Sequence, residues 1–311
     1  MKRDEIQKSS EFWDTHIRIH GEKNKDYIHW MVSPLVQEFC LKKLPSYDKK
    51  IPATQWIAWI KEKYAQTPFN MGLSLGCGDG SLERHAIQYK ICQQIDAFDN
   101  SKNSIEVAEQ FCKNNNLESF IHYHHKDINE IILEKNKYDI VFIGSALHHF
   151  EKLEYIFNEI KKGLKSDGLL IINEFIGPTQ FQWNEKQLKI INDLLNLLPT
   201  DLKIDRISKE IKTKVDKPSI ESMNNLDPSE AIRSSEIVSV LSQNFEIIER
   251  IDYGGTILHL LLYGIVDNFD GSNEKDICIL KMLGYIEDLL ISENVLSSDF
   301  TIIVAKNIEK L

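Results

Sequence analysis

From residue 71 onward, short unbroken apolar runs alternate with stretches in which apolar residues recur every three or four positions. The first run is MGLSL (71–75), and it ends in glycines. A helix is expected over about Ser81 to Tyr89, then a strand over Ile91 to Phe98. Ser101 opens the next helix, with Ile105, Ala108, Phe111 and Cys112 on one face. Phe120 to His124 and Tyr138 to Ile143 read as strands. Between Lys152 and Leu164 the apolar positions form a single stripe, the mark of a helix lying on a core. Ser166-Asp167-Gly168 is expected to turn, and Leu169 to Glu174 to form another strand. Strands apolar on both faces, each followed by a helix, predict an open, doubly wound, mostly parallel α/β sheet.

Either side of this unit the pattern differs. Residues 1–65 read as an N-terminal helical segment rich in aromatics, with Pro45 and Pro52 bracketing a polar connection. After Gly177-Pro178 the alternation stops, and residues 178–240 are expected to be a mainly helical insertion. It holds helices over Gln187 to Leu198 and Pro228 to Leu241. The sheet resumes with Phe245 to Ile251 and ends with Phe300 to Ala305, after helices over Ile257 to Val266 and Ile277 to Ile291. The core is therefore expected over 66–177 and 241–311, with the insertion shaping a pocket for a substrate.

Composition narrows the function classes. The 311 residues carry 37 Lys and Arg against 47 Asp and Glu, a formal net charge of −10. Nucleic-acid grooves need clustered basic residues, so no nucleic-acid partner is expected. Nor does any run approach the about 20 apolar residues that cross a bilayer. No membrane partner and no secretory signal are expected, since no apolar stretch follows the charges of MKRDEIQKSSEFWD. Five scattered cysteines (Cys40, Cys77, Cys92, Cys112, Cys278) form no CxxC pair, which disfavours zinc and disulfides and fits a cytoplasmic protein.

The strongest chemical signal is LSLGCGDGS (73–81). Gly76, Gly78 and Gly80 lie between a strand and a helix, where glycine permits positive φ and close approach of a ligand, and the helix N-terminus offers free N–H groups. A dinucleotide fingerprint would need glycine at 81, where Ser81 stands. No G-K-[ST] ending is present, so a P-loop is excluded. Asp99 ends the second strand 23 positions after Gly76, where a carboxylate can accept from both ribose hydroxyls.

Here the chain resembles the class I S-adenosylmethionine-dependent methyltransferases. The glycine loop is similar to their first motif, AFDNS (97–101) to the second, HKDIN (125–129) to the third, and YDIVFIGSALHHF (138–150) to the fourth. LKSDGLLIINE (164–174) is similar to the strand that follows. The resemblance covers about residues 70–176, and EFIGPTQFQW (174–183) and DPSEAIRSSE (227–236) are similar to a bacterial subgroup. It implies a Rossmann-like fold and S-adenosylmethionine as cofactor. The implied cofactor contacts are Gly76, Cys77, Gly78, Asp79, Gly80, Asp99, Asn100, Asp127, Ile128 and Gly144. Among them Asp127 would accept from the adenine amino group and Ile128 would line the ring. The helices between Tyr253 and Ser298 depart from the short connection usual in the family.

Other polar groups have two readings each. His122, His124 and His125 form H-x-H-H beside a strand end, but no further metal ligand is apparent, so no metal is expected. His148 follows the fourth strand at the edge where open α/β sheets bind ligands, either as a general base with a near-neutral pKa or packed on the next helix. His149 is read as packing. Glu174, at the end of the fifth strand, either orients or deprotonates an acceptor or pairs with the insertion. Trp183 either lines the pocket with Gln180 and Gln182 or packs the insertion, and Trp13 and Trp30 either cover the cofactor or pack helices. Together these readings predict methylation of a small-molecule acceptor, at oxygen in preference to nitrogen. The alternatives are a binding protein that has lost catalysis, a methyltransferase acting on a peptide, and a nicotinamide-dependent oxidoreductase.

Overall fold

The computed structural model describes residues 29–45 and 54–308. Its seven strands are β1 (Phe69–Leu75), β2 (Cys92–Asp99), β3 (Ile121–His125), β4 (Tyr138–Gly144), β5 (Leu164–Phe175), β6 (Phe245–Gly254) and β7 (Phe300–Asn307). They form one sheet in the order β3-β2-β1-β4-β5-β7-β6. The first five are mutually parallel. β7 runs antiparallel to both β5 and β6. The sheet is therefore mostly parallel and doubly wound, and the sense of winding reverses between β1 and β4, the switch point at which such sheets bind ligands.

Alternate residues of the strands enter two separate cores. Ile140, Phe142 and Ile171 face one side, with Trp56, Trp59 and Ile60 of α2 (Gln55–Tyr64), Ala86 of α3 (Ser81–Gln88) and Ile105 of α4 (Lys102–Asn114). Val141, Ile143, Leu170 and Ile172 face the other, with Ile156, Phe157 and Ile160 of α5 (Leu153–Gly163) and Ile237 and Leu241 of a helix at Ile237–Asn244. Burial on both faces is the physical reason the strands read as unbroken apolar runs. The segment before the sheet contributes α1 (Pro34–Leu41). Between β5 and β6 lie α6 (Glu185–Leu197), α7 (Ile220–Leu226) and α8, the helix at Ile237–Asn244. Between β6 and β7 lie α9 (Leu258–Leu262) and α10 (Glu274–Ser292).

Several local expectations change. The Ser166–Gly168 turn is absorbed into β5, whose pairing steps from Tyr138↔Leu164 to Ile140↔Leu169, so the polar residues form an irregularity in a continuous strand. The α-helix expected from Pro228 starts only at Ile237, because residues 228–233 form turns with Ala231 at φ 50° and Ser234–Glu236 a single 3-10 turn. The boundary expected at residue 240 falls inside α8, which covers the sheet. The helix expected over Ile257 to Val266 shortens to α9, since Gly264 takes a left-handed φ of 79°. Of the N-terminal segment, residues 1–28 and 46–53, Trp13 among them, lie outside the described residues, while α1 and α2 fall within them.

Candidate active site

The glycine loop leaves β1 and enters α3 with all three glycines left-handed, at φ 73°, 52° and 76°. At Gly76 an added Cβ would run into Ala146, and at Gly80 into the Tyr123 hydroxyl, so these two positions need glycine for packing as well as for φ. Gly78 differs. Nothing lies within 4 Å of where its Cβ would stand, so the loop backbone there faces open space. Asp99, at the end of β2, is almost buried and accepts from Gly78 N–H at 2.9 Å and from Ser101 N–H at 2.8 Å. Burial raises its pKa, against the opposing pull of those two N–H groups. One backbone bond per oxygen leaves lone pairs on each for further donors.

The other positions named from the sequence spread along the same edge. Asp127 caps a short turn, its Oδ1 accepting from Asn129 N–H at 2.8 Å, and Ile128 beside it is buried. Asn100 O receives a contact from His125 Nε2 at 3.1 Å. Gly144 ends β4, where a Cβ would press on Leu82. Asp79 turns outward, its carboxylate accepting from Ser81 N–H at 2.9 Å and its carbonyl from Arg84. Cys77 is buried, and burial together with Glu83 and Asp99 holds its thiol well above the usual range, which removes thiolate chemistry. A glycine wall with room above it, a buried acid facing it and an apolar side chain nearby fit a nucleoside with an amino-acid tail.

Across the switch point a second cluster forms. Glu174 is 1% exposed, and both its oxygens are taken up by the protein: Oε2 accepts from Ala146 and Leu147 N–H, each at 2.9 Å, and Oε1 from Phe175 N–H at 3.0 Å and from His148 Nδ1. Four bonds leave no lone pair for an acceptor, so this carboxylate orients the histidine. His148 Nε2 lies 3.5 Å from Glu230 Oε1. Burial lowers the His148 pKa, but Glu174 and then Glu230 outweigh it and push the imidazole up to about 9, well above the near-neutral value expected from sequence. His149 touches Ser229 Oγ at 3.1 Å, and burial and the neighbouring His148 lower its pKa.

Glu230, Ser229 and Asp227 belong to the insertion and carried no sequence signal beyond the resemblance around residues 227–236. The chain sews this segment to the sheet edge through Ile232 N–H to His148 O (3.0 Å), Gln180 N–H to Ala231 O (2.8 Å) and Ser234 Oγ to Gly177 O (2.9 Å). Ser145, Gln180, Phe181 and Ala231 all hold positive φ along this edge, and such strain concentrates at functional sites. Trp183 is buried, stacks on Phe181 at 4.9 Å and donates to Asp299 at 3.3 Å, which makes it core for the insertion. Trp30 packs on Phe300 at 5.3 Å and His259 at 5.9 Å, beyond β5 and away from the glycine loop. Gln180 and Gln182 spend their side-chain amides on Asn224, Pro218 and the Gln180 carbonyl. The H-x-H-H residues diverge: His122 is exposed, His124 stacks on Phe98 at 4.7 Å and His125 turns to Asn100.

Comparison with known proteins bears on the fold and the family. Malonyl-[acyl-carrier protein] O-methyltransferase of Halalkalibacterium halodurans is 31% identical over 131 residues, 39% of this chain and 47% of that protein. Sterol 24-C-methyltransferase of Saccharomyces cerevisiae is 27% identical over 143 residues, 45% of this chain and 37% of that protein. The match thus spans less than half the length of these curated relatives. In fold, the crystal structure of geranyl diphosphate C-methyltransferase from Streptomyces coelicolor superposes with a TM-score of 0.56 over 99% of each chain, at 10% identity. Residues 73–172 match the family model described as a methyltransferase domain. With the sheet order, the glycine loop and the acid after β2, the chain carries a class I S-adenosylmethionine-dependent methyltransferase domain.

Proposed function

We propose that the chain moves the methyl group of S-adenosylmethionine to a small-molecule acceptor, with oxygen favoured over nitrogen as the nucleophile. The observation that carries this reading is the pairing of Glu174 with His148: a fully committed carboxylate fixes an imidazole across the cleft from the glycine loop. A nitrogen acceptor needs only orientation, whereas a hydroxyl needs a group through which its proton leaves, and this pair suits the second case. A malonyl O-methyltransferase among the relatives supports oxygen, and a sterol C-methyltransferase beside it keeps carbon in view.

Bound S-adenosylmethionine supplies an electrophilic methyl group on a sulfonium. Gly76, Gly78 and Gly80 would hold its amino-acid tail, Asp99 its ribose hydroxyls, and Asp127 and Ile128 its adenine. His148 would aim the acceptor oxygen along the methyl–sulfur axis, since in-line alignment supplies much of the rate of such a displacement. When bound, the cofactor would give up its methyl group with the C–S electron pair staying on sulfur, and the acceptor hydroxyl would pass its proton to Nε2 of His148 in its neutral form, a form that grows as pH rises toward about 9. Transfer of isotope-labelled methyl groups into an extract of the source organism, followed by mass spectrometry of labelled products, tests this. A labelled methyl ether or ester supports the reading. No labelled product above a no-protein control, from a chain that binds S-adenosylhomocysteine, overturns it.

A further inference from the structure

We infer that His148, His149 and Glu230 form a binding site for one divalent transition-metal ion on the acceptor side of the cleft. Binding of the ion stands on geometry alone; its part in catalysis rests on the methyl transfer proposed above. One donor atom from each of the three residues lies within 4.8 Å of the other two. The Nε2 atoms of His148 and His149 stand 3.5 Å and 3.9 Å from the two oxygens of Glu230. Ligands on a tetrahedral ion at about 2.0–2.2 Å are roughly 3.4 Å from each other, so small side-chain adjustments close the site.

What sets this cluster apart from a surface group of acids is the layer behind it. Metal-binding histidines use their second ring nitrogen on a carboxylate, carbonyl or hydroxyl that fixes the ring. Here Glu174 holds His148 at Nδ1, and Ser229 Oγ meets His149 Nδ1 at 3.1 Å. Both holders are themselves held: Glu174 by three backbone N–H groups, and Ser229 by the buried Asp227, to which its hydroxyl donates at 2.7 Å. Each imidazole thus turns Nε2 toward one shared carboxylate. Glu230 reaches that point because Ala231, at φ 50°, folds the insertion back over β4. Two imidazoles and one carboxylate select zinc, manganese or iron(II) over magnesium or calcium, and three protein ligands leave a position open. A hydroxyl acceptor in that position would give up its proton to solvent more readily, as ligands of such ions do.

The test is calorimetric titration of Zn²⁺, and separately Mn²⁺, into the full chain after EDTA treatment and dialysis, with no cofactor or acceptor present. The expected result is one Zn²⁺ per chain. Affinity should fall at least a hundredfold in His149→Ala and in Glu230→Gln, and about ten- to a hundredfold in Ser229→Ala, the range for loss of a supporting contact. His122→Ala with His125→Ala should leave the titration unchanged. Binding of S-adenosylhomocysteine by every variant shows that it is folded. No stoichiometric binding by the wild type, or binding unchanged in His149→Ala and Glu230→Gln, overturns the inference. Failure to find any methyl acceptor leaves this titration standing. Full methyl transfer by the EDTA-treated, ion-free protein overturns the ion's part in catalysis and keeps the proposed reaction.

Discussion

Single residues divide the labour of the cleft by how their polar atoms are spent. Asp99 accepts a backbone N–H on each oxygen and keeps acceptor capacity toward the open space above Gly78. Asp99→Ala should weaken S-adenosylhomocysteine binding by about 1.5–3 kcal/mol, the range for charge-assisted hydrogen bonds, and calorimetry on the folded variant checks it. Glu83 is the opposite case, fully buried under α3 with no well-formed hydrogen bond to either oxygen. Burial raises its pKa to about 7, moderated by nearby Ser74. A carboxyl with a folded pKa above its unfolded value costs nothing below about pH 4.5, and its cost grows until about pH 7. Replacing it by Glu83→Gln should therefore stabilise the protein by about 1–3 kcal/mol more at pH 8 than at pH 4.5. Denaturant unfolding at the two pH values reads this, and an equal effect at both would place the titration elsewhere.

Among the elements, β4 and β5 and the turns that leave them build the side proposed for the acceptor. Because Glu174 ties Ala146, Leu147 and Phe175 together, its strand and the turn carrying His148 behave as one rigid unit. Trp183 does the same for the insertion through Phe181 and Asp299. Trp183→Ala should cost about 3–5 kcal/mol of stability, as deletion of a buried tryptophan does, while cofactor affinity in the folded protein stays near wild type. Denaturation and calorimetry on one preparation separate the two effects. Weakened cofactor binding in folded variant would mean that the insertion also closes over the cofactor.

The whole molecule is divided at the switch point, with the glycine loop, Asp99 and Asp127 on the β1–β2–β3 side and His148, Glu174 and Glu230 on the side of β4 and β5. This division predicts that the two functions can be separated. S-adenosylhomocysteine at a hundred times its Kd should stabilise the wild type by about 2.7 kcal/mol, and His148→Ala should keep that gain. Methyl transfer by the same variant should fall about 10²–10⁴-fold. Loss of the cofactor-linked gain in His148→Ala would show that the two sides are coupled.

The sheet and the glycine loop facing Asp99 were legible in the sequence because both follow short, regular spacings. Strands buried on two faces leave unbroken apolar runs, and a glycine loop with an acid after the next strand keeps its spacing in any chain that binds a nucleoside this way. Glu230 and Ser229 were not legible as partners of His148 and His149, nor was Trp183 distinguishable from a pocket residue. Those relations span 80 to 116 positions and depend on how a polar insertion folds back. The sequence by itself determined the order of elements, the two-sided core and the residues lining the glycine loop. Only the tertiary structure decided that Glu174 is saturated and that two imidazoles meet one carboxylate, because hydrogen-bond capacity and charge are settled by what packs beside a group, and here those neighbours are distant in the chain.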